Sequence, residues 1–279
     1  MGGSGKTPLI IALVRELKEK GYSVGVVSRG YGGKAIRYPL IVSKNTPVSE
    51  SGDEPLLIVK SCGCPVVVDP NRENAVRTLL ERFSCDLVLS DDGLQHYQMH
   101  RDVEVAVIDA SRGLGNKLTL PAGPLREPLK RLQEVDFVVH NGGEYINAGS
   151  GNVKNTCFVK LEPVGLRKFG AEELISAAQW VDSMSVHAVA GIGHPERFAS
   201  TLKEMGFEPD LHAKNDHEAL SIGDLRFKDQ RPIIITEKDA VKYNDAVPDN
   251  LWVLEVRMRL SDQLVDNVLA CAGLPVTNL

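Results

Sequence analysis

The sequence predicts an α/β fold: a parallel sheet with helices on both faces, plus a smaller C-terminal α/β lobe. Aliphatic runs alternate with helical patterns along most of the 279 residues, as is typical of parallel α/β sheets. The runs are almost continuously apolar, as expected for strands covered on both faces. A glycine-rich segment at the N-terminus leads directly into a helical pattern, an arrangement that favours phosphate binding.

Periodicity and turn signals place the elements of the larger lobe. Strands are predicted at 22–28, 65–69, 86–90, 103–109 and 136–141, and helices at 7–20 and 71–83. In the first helix Leu9, Leu13 and Leu17 share one stripe, and Gly21 follows as a helix terminator. This succession of strand and helix predicts a doubly covered sheet.

A polar, glycine-rich stretch at 142–154 predicts a boundary between two lobes. We therefore expect a first lobe at 1–145 and a second at 155–279. The second lobe is predicted to contain strands at 187–190, 232–236 and 251–256, and helices near 195–205 and 262–272.

Composition excludes several functional classes. A net charge of −5 argues against a general nucleic-acid binder, whose binding face is normally basic. The five cysteines are odd in number and lack zinc-site spacing, which favours reduced thiols in a cytoplasmic protein. No apolar run approaches the roughly 20 residues of a membrane-spanning helix, and no signal peptide is evident.

The first residues, Gly2, Gly3, Ser4, Gly5, Lys6 and Thr7, resemble a P-loop and predict a P-loop NTPase-like fold. Lys6 would reach the β- and γ-phosphates of ATP, and the Thr7 hydroxyl would bind Mg²⁺. An accidental glycine turn at a helix N-terminus is the alternative. Since the complete motif has an earlier glycine and a preceding strand, we expect the natural N-terminus to be longer.

Acidic and basic residues follow the predicted strands. Asp91 and Asp92 end the strand at 86–90, where a magnesium-organising carboxylate is expected in a P-loop protein. Asp53 opens a short helix, where it would serve either as an N-cap or as a general base. Arg29 follows another strand and could hold phosphate.

Several strings together resemble the tetraacyldisaccharide 4'-kinases of Gram-negative lipid A synthesis. The matching strings are GGSGKTP (2–8), SRGYGG (28–33), SGDEP (51–55), DDGLQH (91–96), RD (101–102), LPAGPLREP (120–128), GIGHPERF (191–198), DH (216–217) and TEKDAVK (236–242). They follow the family's order and span nearly the whole chain. The resemblance implies a phosphotransferase with an alcohol acceptor, which moves the ATP γ-phosphate to the 4'-hydroxyl of a lipid A disaccharide 1-phosphate and forms lipid IVA.

The resemblance also implies roles for individual residues. Asp53 would be the catalytic base, paired with His217, while Lys6 and Arg126 would meet phosphate charge. The predicted metal site consists of Thr7, Asp91, Asp92 and Glu127, and the substrate contacts are Arg29, Tyr31, Gln95 and His96. We further expect Lys238 and Asp239 to contact the adenine, with the second lobe closing over the nucleotide.

Membrane contact and two other functions are further expectations. The family has an amphipathic helix before the P-loop, which this sequence lacks, so we expect weakened peripheral association with the cytoplasmic face of the inner membrane. A P-loop kinase of a soluble metabolite would share the ATP site without a lipid surface. A nucleotide-driven switch ATPase would instead dimerise with nucleotide and have no acceptor.

Overall fold

The computed structural model describes residues 4–142, 155–214, 220–243 and 247–276. Its first half contains four helices and seven strands within these ranges. They are α1 (Lys6–Glu19), β1 (Val24–Ser28), β2 (Leu40–Val42), α2 (Val48–Ser51), α3 (Asp53–Cys62), β3 (Val66–Val68), α4 (Arg72–Arg82), β4 (Leu87–Ser90), β5 (Val105–Asp109), β6 (Phe137–Asn141) and β7 (Thr156–Val159).

These strands form two sheets. One has the order β2-β3-β1-β4, with β2 antiparallel at its edge and the other pairs parallel. The other has the order β5-β6-β7 and is parallel throughout. Their carboxyl ends carry Asp91, Asp109 and Asn141 at or directly after the last strand residue, which concentrates polar side chains where ligands bind in open α/β sheets.

Helices cover both faces of the first sheet, as the sequence predicts. Successive strand residues point to opposite faces. Val27 and Val67 pack with Ala75 and Leu79 of α4 on one face. On the opposite face, the neighbouring valines of β1 and β3 pack against α1 and α3 in the largest apolar cluster. The predicted sheet with two helical layers is confirmed.

The second half of the chain builds a six-stranded sheet. Its elements are β8 (Leu161–Lys168), β9 (Leu174–Ile175), β10 (Ser185–Ala190), α5 (Pro195–Glu204), β11 (Glu208–Ala213), β12 (Ile233–Thr236), α6 (Glu237–Ala240), β13 (Leu251–Met258) and α7 (Asp262–Cys271). The strand order is β11-β10-β12-β13-β8-β9. The first four strands are parallel, and β8 joins β13 and β9 in antiparallel pairs. Short 3₁₀ helices lie at Leu129–Gln133, Ala177–Gln179 and Ile222–Leu225.

The last helix returns to the first half of the chain. Val265 and Leu269 of α7 belong to the same buried cluster as Leu13 and Leu17 of α1. Lys20 and Asp266 form an ion pair of 2.9 Å beside this contact. The predicted division at 1–145 and 155–279 remains a prediction, since this helix packs across it.

The predicted strands and helices differ from the observed ones by one or two residues at their ends. The sequence analysis missed β2, β7, β8, β9 and β11, which are short or lie at or near sheet edges with few consecutive apolar residues. Among the described residues, no helix combines the length and the apolar character needed to cross a bilayer.

Candidate functional site

The loop before α1 is held by the end of β6. Gly5 adopts a left-handed conformation with φ of 94°, which disfavours other residues. A Cβ atom at this position would lie 2.2 Å from Nδ2 of Asn141. The same Nδ2 atom donates a hydrogen bond to the Ser4 carbonyl at 3.1 Å. Asn141 therefore fixes the loop, and Gly5 leaves room for it.

A cleft opens in front of this loop, between helices α1 and α3 and the six-stranded sheet. Its volume is about 790 Å³, within the usual range for small-molecule sites. One wall is the first turns of α1 and the Glu54 region of α3. The other wall comes from the second half of the chain and includes His194, Arg197, Thr236, Lys238 and Arg257. The positive end of the α1 dipole points into the cleft and favours anions.

Lys6, Asp92 and Arg126 meet beside the loop. Lys6 Nζ lies 3.5 Å from Asp92 Oδ1. Nη1 of Arg126 donates to both oxygens of the same carboxylate, at 2.9 and 2.8 Å. Burial raises the pKa of Asp92, but the charges of Lys6 and Arg126 outweigh it and hold the pKa below its ordinary value. Three residues predicted from separate strings therefore form one contact.

Asp91 is buried next to this contact and is chemically unusual. Its side chain is 2% exposed, and its Oδ1 atom has no hydrogen-bond partner among the described residues. Burial, followed by the negative charge of Glu54, raises the pKa of Asp91 to about 7. A buried carboxylate oxygen without a partner is costly, and a bound cation would satisfy it. The donor set of Asp91 with Asp92 and the Thr7 hydroxyl suits a hard divalent cation such as Mg²⁺.

Gln95 and Glu127 extend the network away from the loop. Gln95 Oε1 accepts a long hydrogen bond from Arg126 at 3.4 Å, and its Nε2 donates to Glu127 at 2.6 Å. Tyr97 donates to the other oxygen of Glu127 at 2.7 Å. Arg131 lies 3.3 Å from the same carboxylate. Glu127 therefore belongs to the network through Gln95, rather than through a direct contact with Asp91 or Asp92.

Asp53 forms a second contact group with Lys238. It is the first residue of α3 and is 5% exposed, while Gly52 occupies the N-cap position. The backbone N–H of Glu54 donates to Asp53 Oδ1 at 2.9 Å. Lys238 Nζ lies 3.7 Å from Asp53 Oδ2 and 3.2 Å from Glu54 Oε1. The second half of the chain thereby places a positive charge beside the predicted base.

Asp239 lies behind Lys238 and is completely buried. Its carboxylate accepts hydrogen bonds from the Gly191 N–H at 3.2 Å, the Thr236 hydroxyl at 2.7 Å and Lys242 at 2.8 Å. These bonds join the start of α6 to the end of β10. Lys238 lines the cleft, whereas Asp239 is buried behind it. Of the two residues predicted to contact adenine, Lys238 is therefore the one positioned to reach a nucleotide in the cleft.

The predicted substrate residues lie at the outer side of the site. Tyr31 is 65% exposed. Arg29 precedes it in a loop that packs against the segment before α3. In this contact the Lys34 N–H donates a hydrogen bond to Ser49 O at 2.7 Å. Burial lowers the pKa of His96, and the charges of Arg72 and Arg29 lower it further. Two arginines therefore create a positive environment around His96.

Three predicted residues lie outside the described ranges: Gly2, Gly3 and His217. Their assigned roles, including the pairing of His217 with Asp53, remain predictions.

Sequence reasoning missed two polar groups at the cleft. Asn141 ends a strand and looks like an ordinary polar boundary residue, and Arg197 Nη2 lies 3.5 Å from its Oδ1 atom. His194 Nε2 lies 3.0 Å from Asp109 Oδ2, although neither atom has a hydrogen-bond partner among the described residues. The available signal was that Asp109 and Asn141 end β5 and β6, whereas His194 and Arg197 lie at the start of α5.

Comparisons with known proteins agree with this geometry. A family model described as tetraacyldisaccharide-1-P 4'-kinase matches residues 1–272. A tetraacyldisaccharide 4'-kinase from Hahella chejuensis is 45% identical over 268 residues, covering 96% of this chain and 77% of that protein. Another from Pseudomonas fluorescens is 46% identical over 256 residues, covering 92% and 74% respectively.

A solved structure is similar over nearly the whole chain. It is LpxK from Aquifex aeolicus, crystallised in complex with ATP, with a TM-score of 0.78 and 27% sequence identity. The similarity covers 97% of this chain and 85% of that one. It confirms the predicted P-loop type of α/β fold.

Proposed function

From the premise that this chain belongs to the tetraacyldisaccharide-1-phosphate 4'-kinase family, we propose how its site transfers the γ-phosphate of ATP to the 4'-hydroxyl of tetraacyldisaccharide 1-phosphate. Membership makes the chain a phosphotransferase with an alcohol acceptor, as the sequence predicts. The observation that carries the proposal is the meeting of Lys6, Asp92 and Arg126 beside a buried Asp91 oxygen that has no hydrogen-bond partner in the described part of the chain.

ATP binds with its phosphates at the N-terminus of α1. The loop N–H groups and the helix dipole attract the phosphate oxygens, and Lys6 contributes a positive charge. Thr7, Asp91 and Asp92 would hold Mg²⁺, and Glu127 would support this group through Gln95 and Arg126. Mg²⁺, when bound, stabilises negative charge on the transferred phosphoryl group. Lys238, on the opposite wall, contacts the nucleotide from the second half of the chain.

Asp53 acts as the general base. The 4'-hydroxyl gives its proton to the Asp53 carboxylate as its oxygen bonds to the γ-phosphorus, and the bond from that phosphorus to the β-phosphate oxygen breaks to release ADP. Lys238 at 3.7 Å holds the carboxylate in place. His217 is proposed, on the family resemblance, to share the accepted proton. Because phosphoryl transfer depends mainly on position and charge, the base accelerates a reaction that Lys6 and Arg126 already support.

The acceptor lies toward Arg29, Tyr31, Gln95 and His96. Arg29, whose charge acts on His96, suits a phosphorylated sugar, because arginine binds phosphate oxygens with several donors. Tyr31, two residues after Arg29, offers an exposed aromatic side chain. The backbone of Gly30 and Tyr31 lies against Gly52, the residue before Asp53, so this placement brings the acceptor near the proposed base.

We also propose that residues 31–41 rest on the cytoplasmic face of the inner membrane. This segment exposes Ile36, Tyr38 and Ile41; Lys34 precedes them, and Arg37 lies between Ile36 and Tyr38. Ile36 is 89% exposed, and apolar side chains flanked by basic ones favour anionic lipid surfaces. The lipid acceptor would then reach the site from the bilayer through the neighbouring Tyr31 loop.

A phosphorylation assay tests the chemistry. Labelled ATP and disaccharide 1-phosphate are given to wild type, Asp53→Ala and the surface control Asp182→Ala. Loss of a positioned base should lower kcat by roughly 10²–10⁴-fold, with ATP affinity retained. Normal turnover by Asp53→Ala would refute the base assignment. Phosphorylation of soluble hydroxyl compounds instead of the lipid would refute the acceptor.

A vesicle test addresses the membrane surface. Flotation with anionic vesicles should recover less Ile36→Asp than wild type, whereas Val181→Asp should behave as wild type. Val181 is 99% exposed but lies in the second half of the chain, between the 3₁₀ helix Ala177–Gln179 and β10. Equal recovery of all three proteins would contradict the assignment of residues 31–41.

A further inference from the structure

A cluster of histidine and carboxylate side chains lies outside the cleft, on the six-stranded sheet. It occupies β10 and the neighbouring edge strand β11. In the parallel pairing of these strands, His187 stands beside Asp210. His212 is two residues beyond Asp210, so the two side chains share one face of β11. Neither the nucleotide site nor the proposed acceptor site uses these residues.

Three potential metal ligands converge in this cluster. His187 Nδ1 lies 3.1 Å from His212 Nε2 and 3.8 Å from Asp210 Oδ2. His212 Nε2 lies 3.6 Å from the same carboxylate oxygen. A tetrahedral zinc ion with bonds of about 2.0–2.2 Å holds its ligand atoms roughly 3.3–3.6 Å apart. The observed triangle matches this spacing within about half an ångström.

A second carboxylate orients the buried histidine. His187 Nε2 lies 2.8 Å from Asp229 Oδ1, and its ring stacks on Phe227 with the ring centroids 3.6 Å apart. A carboxylate oxygen accepts hydrogen bonds, so at this distance His187 donates its Nε2 proton to Asp229. The Nδ1 lone pair then points toward His212 and Asp210. A carboxylate behind a ligating histidine is the usual arrangement that orients the ring at zinc sites.

We propose that His187, His212 and Asp210 bind a divalent transition-metal ion, with zinc as the best match. Two imidazoles with one carboxylate favour zinc, copper or nickel over magnesium or calcium, which prefer oxygen ligands. His212 and Asp210 are partly exposed, which leaves access for the ion and for water as a fourth ligand. The ion would tie the edge strand β11 to β10 and so stabilise the far side of the six-stranded sheet.

Arg231 competes with the ion for the same atoms. Its Nη2 lies 3.5 Å from His187 Nδ1 and 3.5 Å from Asp210 Oδ2, while its Nε donates to Asp229 at 3.0 Å. Without a metal, the guanidinium therefore neutralises the carboxylates. When the ion binds, Arg231 Nη2 has to move away from Asp210. Removing this arginine should consequently tighten metal binding, which is opposite to the effect of removing a ligand.

Zinc titration of the full chain against a chromophoric chelator tests the site. Wild type should bind one more equivalent than His212→Ala or Asp210→Asn, with the difference also seen in Co²⁺ absorption. Asp229→Asn should bind about 10–100-fold more weakly than wild type, and Arg231→Gln more tightly. His100→Ala, which removes a histidine 3.9 Å from Asp102, should match wild type.

The difference in bound zinc between wild type and a variant reports on this site alone, because the cysteines and the nucleotide site are present in every protein tested. Zinc should also raise the Tm of wild type more than that of His212→Ala. Equal zinc stoichiometry in wild type and His212→Ala would overturn the proposal. Weaker binding by Arg231→Gln, or loss of binding in only one of the two ligand variants, would overturn it as well.

Discussion

Asn141 offers a quantitative test of how the phosphate-binding loop is held. The side chain is 1% exposed, and its Nδ2 atom donates to Ser4 O at 3.1 Å. Asn141→Ala leaves that carbonyl without its partner, which costs about 1–3 kcal/mol for a buried group. Since about 1.4 kcal/mol corresponds to a tenfold change in affinity, a cost that falls on the ordered loop should weaken ATP binding roughly 5–150-fold.

Gly5→Ala separates a steric effect from a backbone effect at the same place. The new Cβ would lie 2.2 Å from Asn141 Nδ2, and φ is 94°. The clash adds to a left-handed backbone cost of about 1–2 kcal/mol. In the double variant with Asn141→Ala the clash disappears and only the backbone cost remains. Gly21→Ala is the matched control, because its φ is 88° and no atom lies within 4 Å.

Isothermal titration with Mg²⁺-ATP, together with urea denaturation, measures both effects. The double variant should bind ATP better than the sum of the single losses predicts, which a double-mutant cycle detects. Strictly additive losses, or ATP affinity in Asn141→Ala equal to that of wild type, would refute the contact as the support of the loop. Gly21→Ala should lose stability without a change in ATP affinity.

Two further predictions concern charge. Burial raises the pKa of Glu237 from 4.5 to about 7, so the folded state binds more protons than the unfolded state in that range, and stability falls as pH rises through it. At about 1.36 kcal/mol per pKa unit, the loss in unfolding free energy is at most about 3 kcal/mol. Glu237→Gln should therefore flatten the curve of unfolding free energy against pH. An unchanged slope would contradict this. Arg126→Lys should lower kcat more than it raises KM for ATP, because lysine does not reproduce the guanidinium that contacts both Asp92 oxygens and Gln95. Kinetics equal to wild type would exclude a role of Arg126 in phosphoryl transfer.

The sequence alone determined the family, the enzyme class and the α/β fold, all of which the comparisons confirm. These predictions rest on local information. Near-continuous apolar runs predict buried strands, helical spacing predicts α1 and α4, and the glycine-rich start predicts the phosphate loop. The closeness of Lys6 and Asp92 was also anticipated, since Asp92 follows a strand next to the phosphate loop, while Arg126 was expected there from the family resemblance.

Only the tertiary structure decided which distant groups touch. Three contacts depend on how distant parts of the chain pack: Asn141 with Gly5, Lys238 with Asp53, and α7 with α1. The burial that raises the pKa of Asp91 to about 7 likewise depends on everything that surrounds it. The histidine cluster on β10 and β11 arises from strand register, which no local pattern in 185–213 specifies. A sequence records side-chain chemistry, whereas distances and desolvation arise only from the packed chain.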